Sequence, residues 1–132
     1  PELSINEIRN LGNAEKTEIY SICYGRQPLM LTRNCPVKNG IGCKDKNNGF
    51  CLITDRKNQS FPVICNNGFS EILNCKITDI SDSISNLSAD YGFLYFTLET
   101  SEKTLNIISA FLTGDSRNGA SYTRGLFKSG VL

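Results

Sequence analysis

Six cysteines, Cys23, Cys35, Cys43, Cys51, Cys65 and Cys75, restrict how this 132-residue chain can fold more than any other feature. The middle four lie in or beside a stretch, Asn34 to Asn48, that has little to bury. Pro36, Asn39, Gly40, Gly42, Asn47 and Asn48 punctuate it, while Lys38, Lys44, Asp45 and Lys46 keep it solvated. Such a segment cannot fold on its own apolar contacts. Four thiolates converging on one ion or cluster would order it, because metal-binding free energy then becomes folding free energy. A structural zinc and a cubane iron–sulfur cluster both take that number of thiolates. The intervals are not those of a zinc ribbon or a thioredoxin: seven, seven and thirteen residues separate Cys35, Cys43, Cys51 and Cys65, and no C-x-x-C pair occurs. Composition alone leaves metal binding, disulfides and packing open for these four. Cys23 and Cys75 fit packing, since a free cysteine behaves as a small hydrophobe.

The length allows one small domain with one core. Fourteen basic residues against thirteen acidic ones give no electrostatic argument for nucleic acid, which would want a basic stripe, nor for an anionic membrane surface. No apolar run reaches the roughly 20 residues of a spanning helix. The chain has no histidine, so Ser-His and Cys-His catalysis and His-ligated zinc cannot be built from it alone. It starts at Pro1 without a Met, and is expected to be a piece of a larger protein.

Along the chain, Ser4 and Glu7 form a capping box for a helix with Ile5, Ile8 and Leu11 on one face and Gly12 as its stop. Thr17–Cys23 reads as a strand, broken by Tyr24–Pro28, and Leu29–Thr32 as a second. Phe50–Thr54 and Phe61–Cys65 read as strands joined by the polar Asp55–Gln59 turn, with Pro62 better suited to an edge. Ile77, Ile80, Ile84, Leu87 and Tyr91 step by three and four, predicting an amphipathic helix ended by Gly92. Phe93–Leu98 predicts a strand covered on both faces. Thr100 or Ser101 should cap a final helix carrying Leu105, Ile108, Phe111 and Leu112, and Asp115 to Leu132 reads as loop. The expected fold class is α/β or α+β, helices on a small mixed sheet, with residues 34–66 forming a cysteine-rich irregular insertion in a single domain, 1–132.

Several short motifs occur together and in order: Tyr24-Gly25-Arg26, Leu29-Met30, Arg33-Asn34-Cys35-Pro36-Val37, Thr54-Asp55-Arg56-Lys57 and Phe61-Pro62-Val63. With Pro1-Glu2-Leu3-Ser4 at the start and Tyr122-Thr123-Arg124-Gly125-Leu126 near the end, they cover nearly the whole chain. The combination resembles the collagenase-like peptidase family of unassigned mechanism (peptidase class U, family thirty-two). That resemblance implies a segment from the second half of a modified β/α barrel. It also implies a bacterial, cytoplasmic parent enzyme whose remaining domains would be this chain's partners. Members of the family are named for collagen-degrading activity. Others take part in hydroxylation of RNA bases or quinone precursors and hold an iron–sulfur cluster on four cysteines. By order of occurrence that role falls to Cys35, Cys43, Cys51 and Cys65, with Cys75 as a substitute for one of them and zinc as the alternative metal.

Three functions follow as expectations: an iron–sulfur-dependent enzyme of RNA or small-molecule hydroxylation, a protease acting on peptides, or a non-catalytic recognition module. The isolated chain is expected to be inactive. Arg26 and Arg33 are candidates for binding a substrate carboxylate or phosphate, since guanidinium forks suit both. Asp55 and Arg56 read as a structural pair or solvated side chains. Glu99 follows an apolar strand and is an acid/base candidate by barrel logic. Thr123 and Arg124 are candidates for contact with a neighbouring segment.

Overall fold

The computed structural model describes residues 3–11, 18–40, 49–66, 68–115 and 121–125. Elements run in the order α1 (Ile5–Leu11), β1 (Tyr20–Gly25), β2 (Pro28–Thr32), α2 (Pro36–Gly40), β3 (Phe50–Thr54), β4 (Ser60–Asn66), β5 (Phe69–Leu73), β6 (Ile77–Asp79), a 3-10 helix (Ser81–Asn86), β7 (Tyr91–Tyr95), α3 (Ser101–Thr113) and β8 (Tyr122–Thr123). The fold class is α+β. The chain divides into two compact units, Pro1–Gly25 with Ile77–Leu132, and Arg26–Lys76. Each carries one four-stranded sheet, and the barrel-like part of the expectation has no counterpart among the described residues. No helix among them is long and apolar enough to cross a membrane.

In the first unit the strand order is β7-β1-β6-β8, with β1 parallel to β7 and antiparallel to β6. Cys23 and Tyr24, both fully buried, anchor two adjoining clusters. Cys23 packs with Ile8 and Ile80, and Tyr24 with Ile77 and Ile107. The first helix forms as its sequence dictates. The Ser4 amide and hydroxyl donate to Glu7 Oε2 at 2.7 and 2.6 Å, and the Glu7 amide returns to Ser4 Oγ at 3.4 Å. Its apolar face is narrower than expected: Ile8 is buried and Leu11 exposed, while Gly12 lies outside the described residues.

Three expectations fail in this unit. The predicted helix through Ile77, Ile80, Ile84, Leu87 and Tyr91 is instead a buried strand, a 3-10 helix and the start of another strand. Ile77–Asp79 is held between β1 and β8, a pairing that β-branched Ile77 and Thr78 favour and that no local periodicity reveals. Ile84 and Leu87 still reach the Cys23 cluster, but from the 3-10 turn and the residue after it. The apolar run at Phe93 is not covered on both faces: β7 is an edge strand with Tyr91 and Phe93 exposed. Its aromatic rings cover one another instead, Tyr20 on Tyr91 at 4.7 Å and Phe93 on Tyr95 at 6.2 Å between centroids. The last helix is capped by Thr100 as predicted, its side chain accepting from the Lys103 amide. It buries Ile107 and half-buries Phe111, whereas Leu105 and Leu112 are 68% and 83% exposed. The stretch read as a loop tail contains β8, paired in parallel with β6.

The Arg26–Lys76 unit is an antiparallel sheet in the order β2-β5-β4-β3. The predicted hairpin is present. Asp55 Oδ1 accepts from the amides of Lys57 and Gln59, both at 2.8 Å, and Asn58 takes the left-handed conformation, φ 58°, that asparagine tolerates. Replacing Asp55 with alanine should therefore destabilise the hairpin by about 1 kcal/mol, read as faster amide exchange in β3 and β4. Pro62 departs from expectation by standing on an inner strand. Its missing N–H is tolerated because the β4–β5 ladder starts only at Val63, leaving Pro62 paired with Leu52 on one side. Strand β5 and the short α2 were not foreseen, although Pro36 at the first helical position is a start signal for the latter.

Candidate functional site

The Arg26–Lys76 sheet brings two of the predicted metal ligands together. Cys35 immediately precedes α2, whose Val37 is fully buried and which lies against β3. Thus anchored, Cys35 Sγ stands 3.8 Å from Cys65 Sγ on β4, across thirty positions of sequence. Cys65 is in register with Ser70 of β5, and its sulfur is 3.5 Å from the Ser70 hydroxyl. The Lys38 amide, in the first turn of α2, donates to Cys35 Sγ at 3.5 Å.

Cys51 of β3 is opposite Val63, two residues before Cys65, so strand alternation puts Cys51 and Cys65 on the same sheet face as diagonal neighbours. Cys43, the remaining predicted ligand, lies outside the described residues. Among the described residues no group of three or more Cys, Asp or Glu side chains is arranged to hold a metal ion.

The surroundings of Cys35 favour its thiolate. The Ser70 hydroxyl and then the Lys38 amide pull the Cys35 thiol down from an ordinary 9.0 to about 7; burial opposes them, and the Cys65 thiol and Val37 amide add to the lowering. Cys35 is accordingly protonated below that value and ionised above it. In metal-free protein its alkylation by iodoacetamide should rise with pH about a midpoint near 7, and a midpoint near 9 would contradict this environment. Cys23 is the internal control. Its thiol is fully buried, donates to the Ser21 carbonyl at 3.4 Å, and is pushed by burial up to about 11. Cys23 is thus a packing residue, as its sequence context predicts. Cys75 differs from that expectation: it is half-buried and directs its thiol at polar oxygens, Asn74 Oδ1 at 3.5 Å and Gln59 Oε1 at 3.8 Å.

The other candidate side chains have structural tasks. Arg26 Nη1 donates to the carbonyls of Asn74 and Cys75 at 2.7 and 2.6 Å, tying the two ends of its unit together beside the Asn74 amide to Gln27 carbonyl bond. Arg33 lies over the Phe69 ring, 5.3 Å from its centroid. Asp55 holds the hairpin turn, and Arg56 is exposed there. Glu99 accepts from the Thr97 and Leu98 amides at 2.7 and 3.0 Å and from the buried Tyr24 hydroxyl at 3.1 Å. Thr123 belongs to β8, and Arg124 forms an ion pair with Asp82.

Thiolates on one tetrahedral ion with metal–sulfur bonds of about 2.3 Å stand about 3.8 Å apart along an edge of the tetrahedron. The observed separation of 3.8 Å equals that edge and is also the contact distance of two packed thiols. In comparisons with known proteins, no family model, no curated protein and no solved structure matches the chain.

Proposed function

We propose that the Arg26–Lys76 unit is a metal-ordered, non-catalytic module that holds a single zinc-like ion through Cys35 and Cys65. The 3.8 Å approach of the two sulfurs carries this reading. Simple packing would also bring two thiols into contact, but a packed pair belongs in an apolar core. This one is half-buried, with a backbone N–H and a hydroxyl aimed at its sulfurs, the kind of outer-shell donors that hold metal-bound thiolates. The four-cysteine set suggested by the sequence adds Cys51, which is on the same sheet face, and Cys43, which lies outside the described residues.

Non-catalytic character rests on the engagement of the candidate side chains. Glu99, Asp55 and Arg26 each satisfy backbone or buried groups within their own unit, so the chemistry of the whole protein is assigned to other domains. The resemblance in the sequence suggests that those domains belong to a cytoplasmic enzyme acting on RNA or on peptides. A reducing compartment would keep these thiols available for metal.

The test is the zinc, iron and acid-labile sulfide content of protein purified without oxygen. One zinc per chain is the expected result. Four irons with four sulfides would favour the iron–sulfur enzyme reading instead, and metal-free protein would overturn both.

A further inference from the structure

The same two sulfurs offer chemistry beyond holding an ion. Each is already in contact with the other, at 3.8 Å, with no side chain between them. Cys35 sits in the connection between β2 and α2, flanked by exposed Arg33, Asn34 and Lys38, and is itself only half-buried. Closing the gap to the roughly 2.0 Å of a sulfur–sulfur bond takes a shift of about 1.8 Å, starting from a separation of 3.8 Å. Cys65, by contrast, is fixed on an inner strand with β3 and β5 paired on either side. Two half-buried thiols in contact, one on a connection and one on an inner strand, form the geometry of a closing dithiol.

We infer that Cys35 and Cys65 are a redox-active pair that peroxide converts to a disulfide, and that closure releases the bound ion. The second half of this inference rests on the metal reading above; the first half does not. Hydrogen peroxide transfers one oxygen to Cys35 sulfur, giving a sulfenic acid, while the other oxygen leaves as water. The Cys65 sulfur then attacks Cys35 sulfur, the sulfur–sulfur bond forms, and the sulfenic hydroxyl leaves as a second water. The two sulfurs lose two electrons in total, and the peroxide is reduced to two waters. Where the thiolates begin on the metal, the two protons needed come from solvent. A disulfide sulfur is a poor ligand beside a thiolate, so the ion loses two of its donors in one event.

Zinc-loaded whole chain treated with graded hydrogen peroxide tests this, with zinc release followed by a chromogenic chelator and disulfides mapped by mass spectrometry of unreduced digests. The expected result is one zinc released per Cys35–Cys65 disulfide formed, reversed by dithiothreitol with fresh zinc. In Cys65→Ser protein, assayed metal-free, Cys35 should stop at the sulfenic acid and be trapped by dimedone. Zinc that stays bound while Cys35 and Cys65 remain reduced would overturn the inference and leave the metal site intact. A chain that binds no zinc yet forms the Cys35–Cys65 disulfide would remove the metal reading and retain the dithiol. A disulfide joining other cysteines, with Cys35 still reduced, would overturn the pair itself.

Discussion

Alanine at position 25 should cost the unit built from Pro1–Gly25 and Ile77–Leu132 on the order of 3 kcal/mol. Gly25 closes β1 with φ of 136°, a backbone conformation that side chains with a Cβ rarely adopt. It is also in register with Tyr95 of β7, where a Cβ would overlap the Tyr95 carbonyl oxygen and come within 2.9 Å of the Tyr95 Cβ. Neither contact is the far end of a flexible side chain, so relief requires the β1–β7 pairing to open. Gly92 provides the comparison, since it carries no φ constraint and its Cβ would meet Cys23 Sγ at 3.0 Å and Ile84 Cδ1 at 3.6 Å. Urea unfolding followed by tyrosine fluorescence should show the larger loss for Gly25→Ala. Equal and small losses at both positions would contradict the described pairing.

The second large effect concerns the metal. Cys35→Ser and Cys65→Ser should each weaken zinc binding by more than the roughly 100-fold that loss of an outer-shell partner costs. Ser70→Ala, which removes only a hydroxyl beside the sulfurs, should cost about 10-fold. Cys23→Ser should leave affinity unchanged, because that thiol is buried in the Ile8 and Ile80 cluster of the other unit. Since binding free energy is also folding free energy, the two ligand variants should lose the zinc dependence of the thermal transition. Competition titrations against a chromogenic chelator, run beside melting curves with and without zinc, measure both quantities. Retention of wild-type affinity in Cys65→Ser would remove that residue from the site.

What the sequence made legible was local. The Ser4–Glu7 box, the Thr100 cap and the Asp55 turn each depend on side chains reaching backbone within four residues, and all three are present as read. The failures involve distant partners. Ile77 and Ile80 follow a helical spacing, yet the first pairs with a β8 residue forty-five positions on, while the amide of the second donates to the Cys23 carbonyl. An apolar run such as that at Phe93 reads the same whether a strand is central or at an edge, and only the sheet order separates the two.

The site divides in the same way. The sequence groups Cys35 and Cys65 only as members of a four-cysteine set. Their direct contact depends on α2 docking on β3 and on the β4–β5 register, neither of which spacing reveals. One ion and a cluster both take four thiolates, so a count of cysteines does not choose between them. The role of Arg26 as a clamp on the Asn74 and Cys75 carbonyls had no signal at all, since its partners are main-chain oxygens nearly fifty residues away.

Extended X-ray absorption at the metal edge of the purified protein tests the central claim most directly. A single shell of sulfur neighbours at about 2.3 Å, without a metal–metal distance, is the result expected of one ion on cysteine thiolates. A metal–metal distance in the spectrum would contradict it and show a cluster, and a shell of oxygen or nitrogen in place of sulfur would contradict it by removing the cysteines as ligands.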